Sequence, residues 1–168
     1  RRQRQMCIRD RLNTDPVSMI DMGAVLVEDR TIAWVGTQAE AEHHEAARAA
    51  TRVDLGDVTL MPGLIDAHVH LAFDGGPDPA ARMQAETDPQ QIALMVRSAR
   101  ELLSVGVTTA RDLGARGFTD VVMRDAIEAG TIQGPRLLTA GAPLTSTGGH
   151  CWYCLLYTSD AADDSLRV

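Results

Sequence analysis

Two histidines one residue apart, His68 and His70 in "MPGLIDAHVHL" (Met61–Leu71), are the residues whose type and spacing best suit chemistry. Side chains alternate along a strand, so residues two apart leave the same face and aim two imidazoles at one point, while Ala67, Val69 and Leu71 face the other way. Neutral imidazole is a good ligand for first-row divalent metals, and a strand holds both rings at little ordering cost. Spacing alone does not separate a metal pair from packed or surface histidines. The surroundings of the pair have to decide.

Other groups compete for attention. Asp66 shares the face of His68 and could orient an imidazole as an acceptor, or simply make a loop hydrogen bond. Arg111 and Asp112, at the end of a later strand, read as a buried pair. Cys151 beside Trp152 offers a thiol, but no base is placed near it by the sequence. Gly148 and Gly149 do not form a phosphate loop, because no G-x-x-x-x-G-K pattern surrounds them. His43 and His44 are adjacent, so on a helix they diverge by about 100° and read as a solvated pair.

The elements that must position these groups change character along the chain. "AVLV" and "TIAWV", separated by Glu28-Asp29-Arg30 and closed by Gly36, predict a β-hairpin. The Ala- and Glu-rich stretch "AEAEHHEAARAA" predicts a short helix or polar loop. "TRVDLGDVTLMPG" predicts two further short strands around Gly56, ending at the Pro62-Gly63 break. Beyond it, strands over Leu64–Leu71, Val107–Leu113 and Leu137–Ala140 alternate with helices. In the first helix Asp88 is the expected N-cap, Pro89 opens the helix and Gly106 follows its end. Ile92, Met95, Val96, Ala99, Leu102 and Leu103 give it one apolar stripe. "TDVVMRDAIEAG" is the second helix. Strand-helix-strand-helix-strand predicts parallel β/α units, with His68 and His70 at the C-terminal end of the first parallel strand, where βα-barrel enzymes carry their chemistry.

The two ends differ from what lies between them. Met6–Asp10 and Cys154–Thr158 can be encoded by opposite strands of one oligonucleotide, which resembles the transposon mosaic-end adapter used to prepare sequencing libraries. Residues 1–11 and 154–168 therefore read as translated adapter rather than as a basic arm and an acidic tail. They are expected to pack little. The formal charge of the chain is -7; the ends carry +4 and -2, leaving -9 on the interior. That balance argues against a nucleic-acid partner. No apolar run reaches the roughly 18 residues of a membrane span. With Cys7 and Cys154 in the ends, Cys151 stands alone and no disulfide framework is expected. A soluble, cytoplasmic protein is the expectation.

"VTLMPGLIDAHVHL" closely resembles the signature of the amidohydrolase superfamily. "TIAWVG", "LLSVGVTTARDLG" and "GPRLLTAGAPLTSTGGH" are similar to its imidazolonepropionase-like branch, which includes metal-dependent dipeptidases. The resemblance implies a (β/α)8 barrel, here truncated to its first βα units (62–153), preceded by part of a small β-sandwich domain (12–61). It implies that His68 and His70 ligate a divalent metal, zinc as a rule, whose activated hydroxide hydrolyses C–N bonds in small amide, peptide-like or cyclic amide substrates. The family's remaining ligands and its proton-shuttling aspartate come from later strands, and this chain has no lysine to serve as a carboxylated ligand. No catalytic acid or base is therefore expected within it, and the chain by itself is expected to be inactive. His150 lies in the loop that borders the substrate pocket in relatives and is the expected substrate contact. A lactonase or phosphotriesterase-like hydrolase on the same scaffold, or a member that has lost catalysis, are the alternatives.

Overall fold

The computed structural model describes residues 4–8, 11–14, 17–146, 149 and 151. The chain divides after Pro62 into two units.

In the first unit β1 (Arg4–Ile8), β2 (Arg11–Thr14), β3 (Val17–Ile20), β4 (Gly23–Glu28) and β5 (Thr31–Thr37) are followed by two short helices and a last strand. The helices are α1 (Gln38–His43) and α2 (Glu45–Arg48), and the strand is β6 (Thr51–Asp54). The expected hairpin is β4–β5, paired antiparallel, with Asp29 at φ 56°, a left-handed turn conformation that aspartate tolerates. Ala24 and Leu26 on β4 meet Ala41 and Ala47 of the helices, with Trp34 against them. Small residues on both sides let the helices approach the sheet closely. Of the two strands expected around Gly56 only β6 forms; Leu60 makes an isolated bridge instead.

The adapter reading fails here as a structural guide. β1 lies inside a four-stranded sheet of order β5-β4-β1-β6, antiparallel to β4 and parallel to β6. Ladder hydrogen bonds join backbone to backbone and are blind to side-chain identity. The slot between β4 and β6 therefore accepts any β-tolerant segment that reaches it. Residues 154–168 lie outside the described residues.

The second unit contains β7 (Leu64–Val69), α3 (Pro79–Ala85), α4 (Asp88–Ser104), β8 (Val107–Asp112), α5 (Thr119–Glu128) and β9 (Arg136–Thr139). Its sheet has the order β7-β8-β9, parallel throughout, as strands joined by crossover helices must be. The class is α/β. Met95 and Ala99 of α4, Met123 of α5, Ala110 of β8 and Leu137 of β9 make a fully buried core, with Ile92, Val96 and Leu102 packed against it. Leu103, expected in the same stripe, is more than a third exposed.

Helix α4 begins one residue earlier than expected. Thr87 is the N-cap, and Gln90 Oε1 accepts from the Thr87 N–H and hydroxyl at 2.8 Å each. Asp88 is thereby freed to meet Arg116, whose Nη2 is 2.7 Å from its Oδ1. At the other end Gly106 takes φ 86°, the left-handed position after a helix that only glycine occupies without strain, and β8 starts directly after it.

Candidate functional site

β7 ends at Val69, so His68 is its penultimate residue and His70 stands just beyond it. The expected strand ran to Leu71. The cause is a register break with β8 between Asp66 and Val69. Such a break strands backbone groups and re-aims side chains. Two side chains answer the stranded groups: Asp66 Oδ1 accepts from the His68 N–H at 3.0 Å, and Arg111 Nε donates to the Ala67 carbonyl at 2.7 Å. Asp66 thus holds the His68 backbone rather than an imidazole. Arg111 braces the same segment and is not paired with Asp112.

The two imidazoles lie with ring centroids 5.5 Å apart and planes 73° apart. His70 is fixed further. Its Nδ1 is 3.3 Å from the Gly114 carbonyl, and its ring meets Phe73 at 4.8 Å. A carbonyl only accepts, so this contact makes Nδ1 the protonated nitrogen and leaves the lone pair on Nε2. Both histidines line a pocket of about 500 Å³. The loop after β8 adds Leu113 to its wall; the chain after β9 adds Ala140, Ala142, Pro143, Leu144 and Cys151. The wall is apolar and the two rings are its polar part.

Asp112, expected to pair with Arg111, is fully buried on the other side of the same structure. Its Oδ2 accepts from the Leu71 N–H at 3.1 Å and its Oδ1 from the Gly114 N–H at 3.0 Å. Burial pushes the carboxyl up to about 6, against the two N–H bonds that favour the charged form. Asp120 is also buried and also raised by burial; its Oδ2 accepts from the Gly141 N–H at 2.8 Å. The Gly141 carbonyl in turn accepts from the Ala115 N–H. Two buried carboxylates thus tie together the loops that follow β7, β8 and β9. A sequence cannot show this, because an aspartate at a strand end or a helix start looks like a surface or cap residue until its distant partners are known.

His150 lies outside the described residues. Cys151 carries a free, half-buried thiol in the pocket wall, a position that sequence reasoning did not give it. His43 and His44 are not simply a solvated pair. His44 caps α2, with Nδ1 3.4 Å from the Ala47 N–H, and packs on Trp34 at 5.3 Å.

Imidazole nitrogens suit a divalent metal, and His70 presents a free Nε2, so His68 and His70 fit as two donors of such a site. Among the described residues no group of three or more histidine, cysteine or acidic side chains converges on one point. Further ligands are needed to close a coordination shell.

Residues 59–167 match the amidohydrolase family. Over 130 residues the chain is 33% identical to an ochratoxinase of Aspergillus niger, covering 76% of this chain and 26% of that protein. Over 57 residues it is 42% identical to an imidazolonepropionase of Erwinia tasmaniensis, covering 34% of this chain and 13% of the relative. The crystal structure of the A. niger ochratoxinase superposes with a TM-score of 0.75 at 28% identity, over 89% of this chain and 34% of that chain. The chain therefore spans about a third or less of the length of these proteins. With the match running through His68, His70 and the three parallel strands, the chain belongs to the amidohydrolase family.

Proposed function

We propose that the chain is the N-terminal part of a metal-dependent hydrolase that cleaves C–N bonds in small amide or peptide-like substrates, built on a (β/α)8 barrel of which β7, β8 and β9 are the first three strands. One observation carries this reading: two imidazoles stand side by side at the C-terminal end of the first parallel strand and line one pocket, one of them with its Nδ1 against a carbonyl, which leaves Nε2 as its free nitrogen. His68 and His70 hold a divalent metal, zinc by the resemblance to the family; imidazole donors suit such an ion. When bound, that ion supplies a Lewis acid that polarises a carbonyl and acidifies water.

The chain's own residues do the rest of what is present. Arg111 and Asp66 fix the backbone that carries His68. The apolar wall formed by Leu113, Ala140, Ala142 and Pro143 suits an uncharged part of the substrate. His150, in the stretch "STGGH", is the proposed substrate contact by the resemblance of that stretch to the family. The acidic charge speaks against a nucleic-acid partner, and none of the described helices is long and apolar enough to cross a membrane. A single interior cysteine fits a cytoplasmic location.

Supplied with zinc and assayed on dipeptides and acyl-amino acids, the chain alone is expected to show no turnover, since two donors leave half of a tetrahedral shell to be supplied. A longer protein carrying the complete barrel is expected to hydrolyse such substrates, and to lose at least about 100-fold on chelation or on His68→Ala and His70→Ala, since even partners of the ligands cost 10–100-fold. Hydrolysis that survives both substitutions and chelation overturns the reading.

A further inference from the structure

The His70 ring depends on a peptide whose position is itself held from behind. Gly114 offers its carbonyl to His70 Nδ1 on one side and its N–H to Asp112 Oδ1 on the other. The second oxygen of the same carboxylate takes the N–H of Leu71, the residue that follows His70. One side chain therefore reaches the histidine from two directions, through the peptide that leaves it and through the N–H of Gly114, the residue whose carbonyl accepts from its ring. We propose that Asp112 is a positioning residue for His70, selecting the Nδ1–H tautomer and presenting Nε2 to the pocket.

The chemistry of the group supports this role over a merely structural one. Two N–H donors converge on it from two different loops, and only a group with two acceptor oxygens satisfies both. Asparagine keeps one acceptor and turns an N–H₂ towards the other donor. Asp112 is fully buried, and among the described residues no cation pairs with it. A buried charge without a counter-ion is costly, and the two N–H bonds offset part of that cost. What the carboxylate adds is the fixed position of Gly114. That position also requires glycine: Gly114 has φ 118°, and a Cβ there would meet the Gly141 carbonyl at 2.7 Å.

This proposal rests on the reading of His70 as a metal ligand for its purpose, but not for its test. Long-range proton–nitrogen correlation spectra of the uniformly ¹⁵N-labelled chain, recorded without metal at pH 8, read the tautomer of each imidazole. The His70 signals are assigned by their loss in His70→Gln. The expected result is a single Nδ1–H form for His70 in the unaltered chain and a mixture of both tautomers in Asp112→Asn. Asp125→Asn, which removes an exposed carboxylate paired with Arg124, is expected to leave His70 unchanged. His70 found as Nε2–H in the unaltered chain, or an unmoved tautomer in Asp112→Asn, overturns the proposal. If Asp112→Asn does not fold, Asp112→Glu, which keeps both acceptor oxygens but displaces them by one methylene, takes its place, and an unmoved tautomer there overturns the proposal. Failure of zinc to bind would remove the metal reading and leave the tautomer result standing.

Discussion

Raising the pH from about 4 to about 7 is expected to cost the second unit roughly 2 kcal/mol through Asp112 alone. Its folded carboxyl titrates at about 6, above the ordinary 3.8. Between those values the folded chain holds a proton that the unfolded chain has released, so stability falls with rising pH across that window. The contribution is fully present below the ordinary carboxylate pKa and lost as the pH passes through the folded value. Full burial means that solvent screens little of it. Glu40 and Asp74, held low by N–H bonds from Thr37 and Gly76, act in the opposite sense. Asp112→Asn carries those groups but cannot titrate at this site. Hydrogen-exchange protection of β8, followed in both proteins across the window, should fall in the unaltered chain relative to Asp112→Asn as the pH rises. Parallel profiles for the two proteins would show that the Asp112 proton is not shifted by folding. At neutral pH the fold thus carries a destabilised carboxylate, which is the form that offers two acceptors to Leu71 and Gly114.

Met95→Ala is expected to destabilise the same unit by about 2–5 kcal/mol. Met95 is completely buried on α4, where the helix crosses the sheet. Removing three heavy atoms there loses their transfer free energy and opens a cavity. The neighbours Ala99 and Ala110 are too short to fill it, while Met123 can swing partly inwards because its thioether chain has several low-energy rotamers. The loss should fall below the top of the range for that reason. A urea titration followed by exchange of the α4 and β8 amides measures it, and a change under about 1 kcal/mol would show that α4 is not held by this core.

The second unit was legible because its helices and strands carry period and punctuation together. The apolar positions of α4 recur at three and four, and Gly106 marks its end, so local chemistry and burial agree. Its start was misplaced because Thr87 and Asp88 are both good caps and only Gln90, reaching back, chooses between them. The end of β7 was invisible for a different reason: the register break is made by β8 and by Arg111, which lies 44 residues away from Ala67. The place of β1 was misjudged because composition reports on side chains, while the slot it fills is defined by backbone. Of the site, the histidine pair was legible from alternation. The buried tie through Asp112 was not, since one of its partners, Leu71, lies 41 residues away in the loop after another strand.

The position of β7 at the end of its sheet has a consequence for the chain in bulk. Its outer edge pairs with no described strand, Ile65 on it is 74% exposed, and the strand carries no lysine or internal proline to deter a newcomer. Such an edge is a template, and the nearest strand of suitable length in solution belongs to another copy. Loss of monomer should then accelerate with concentration as a bimolecular process does, so that the soluble yield is governed by how fast chains accumulate rather than by how stable each one is.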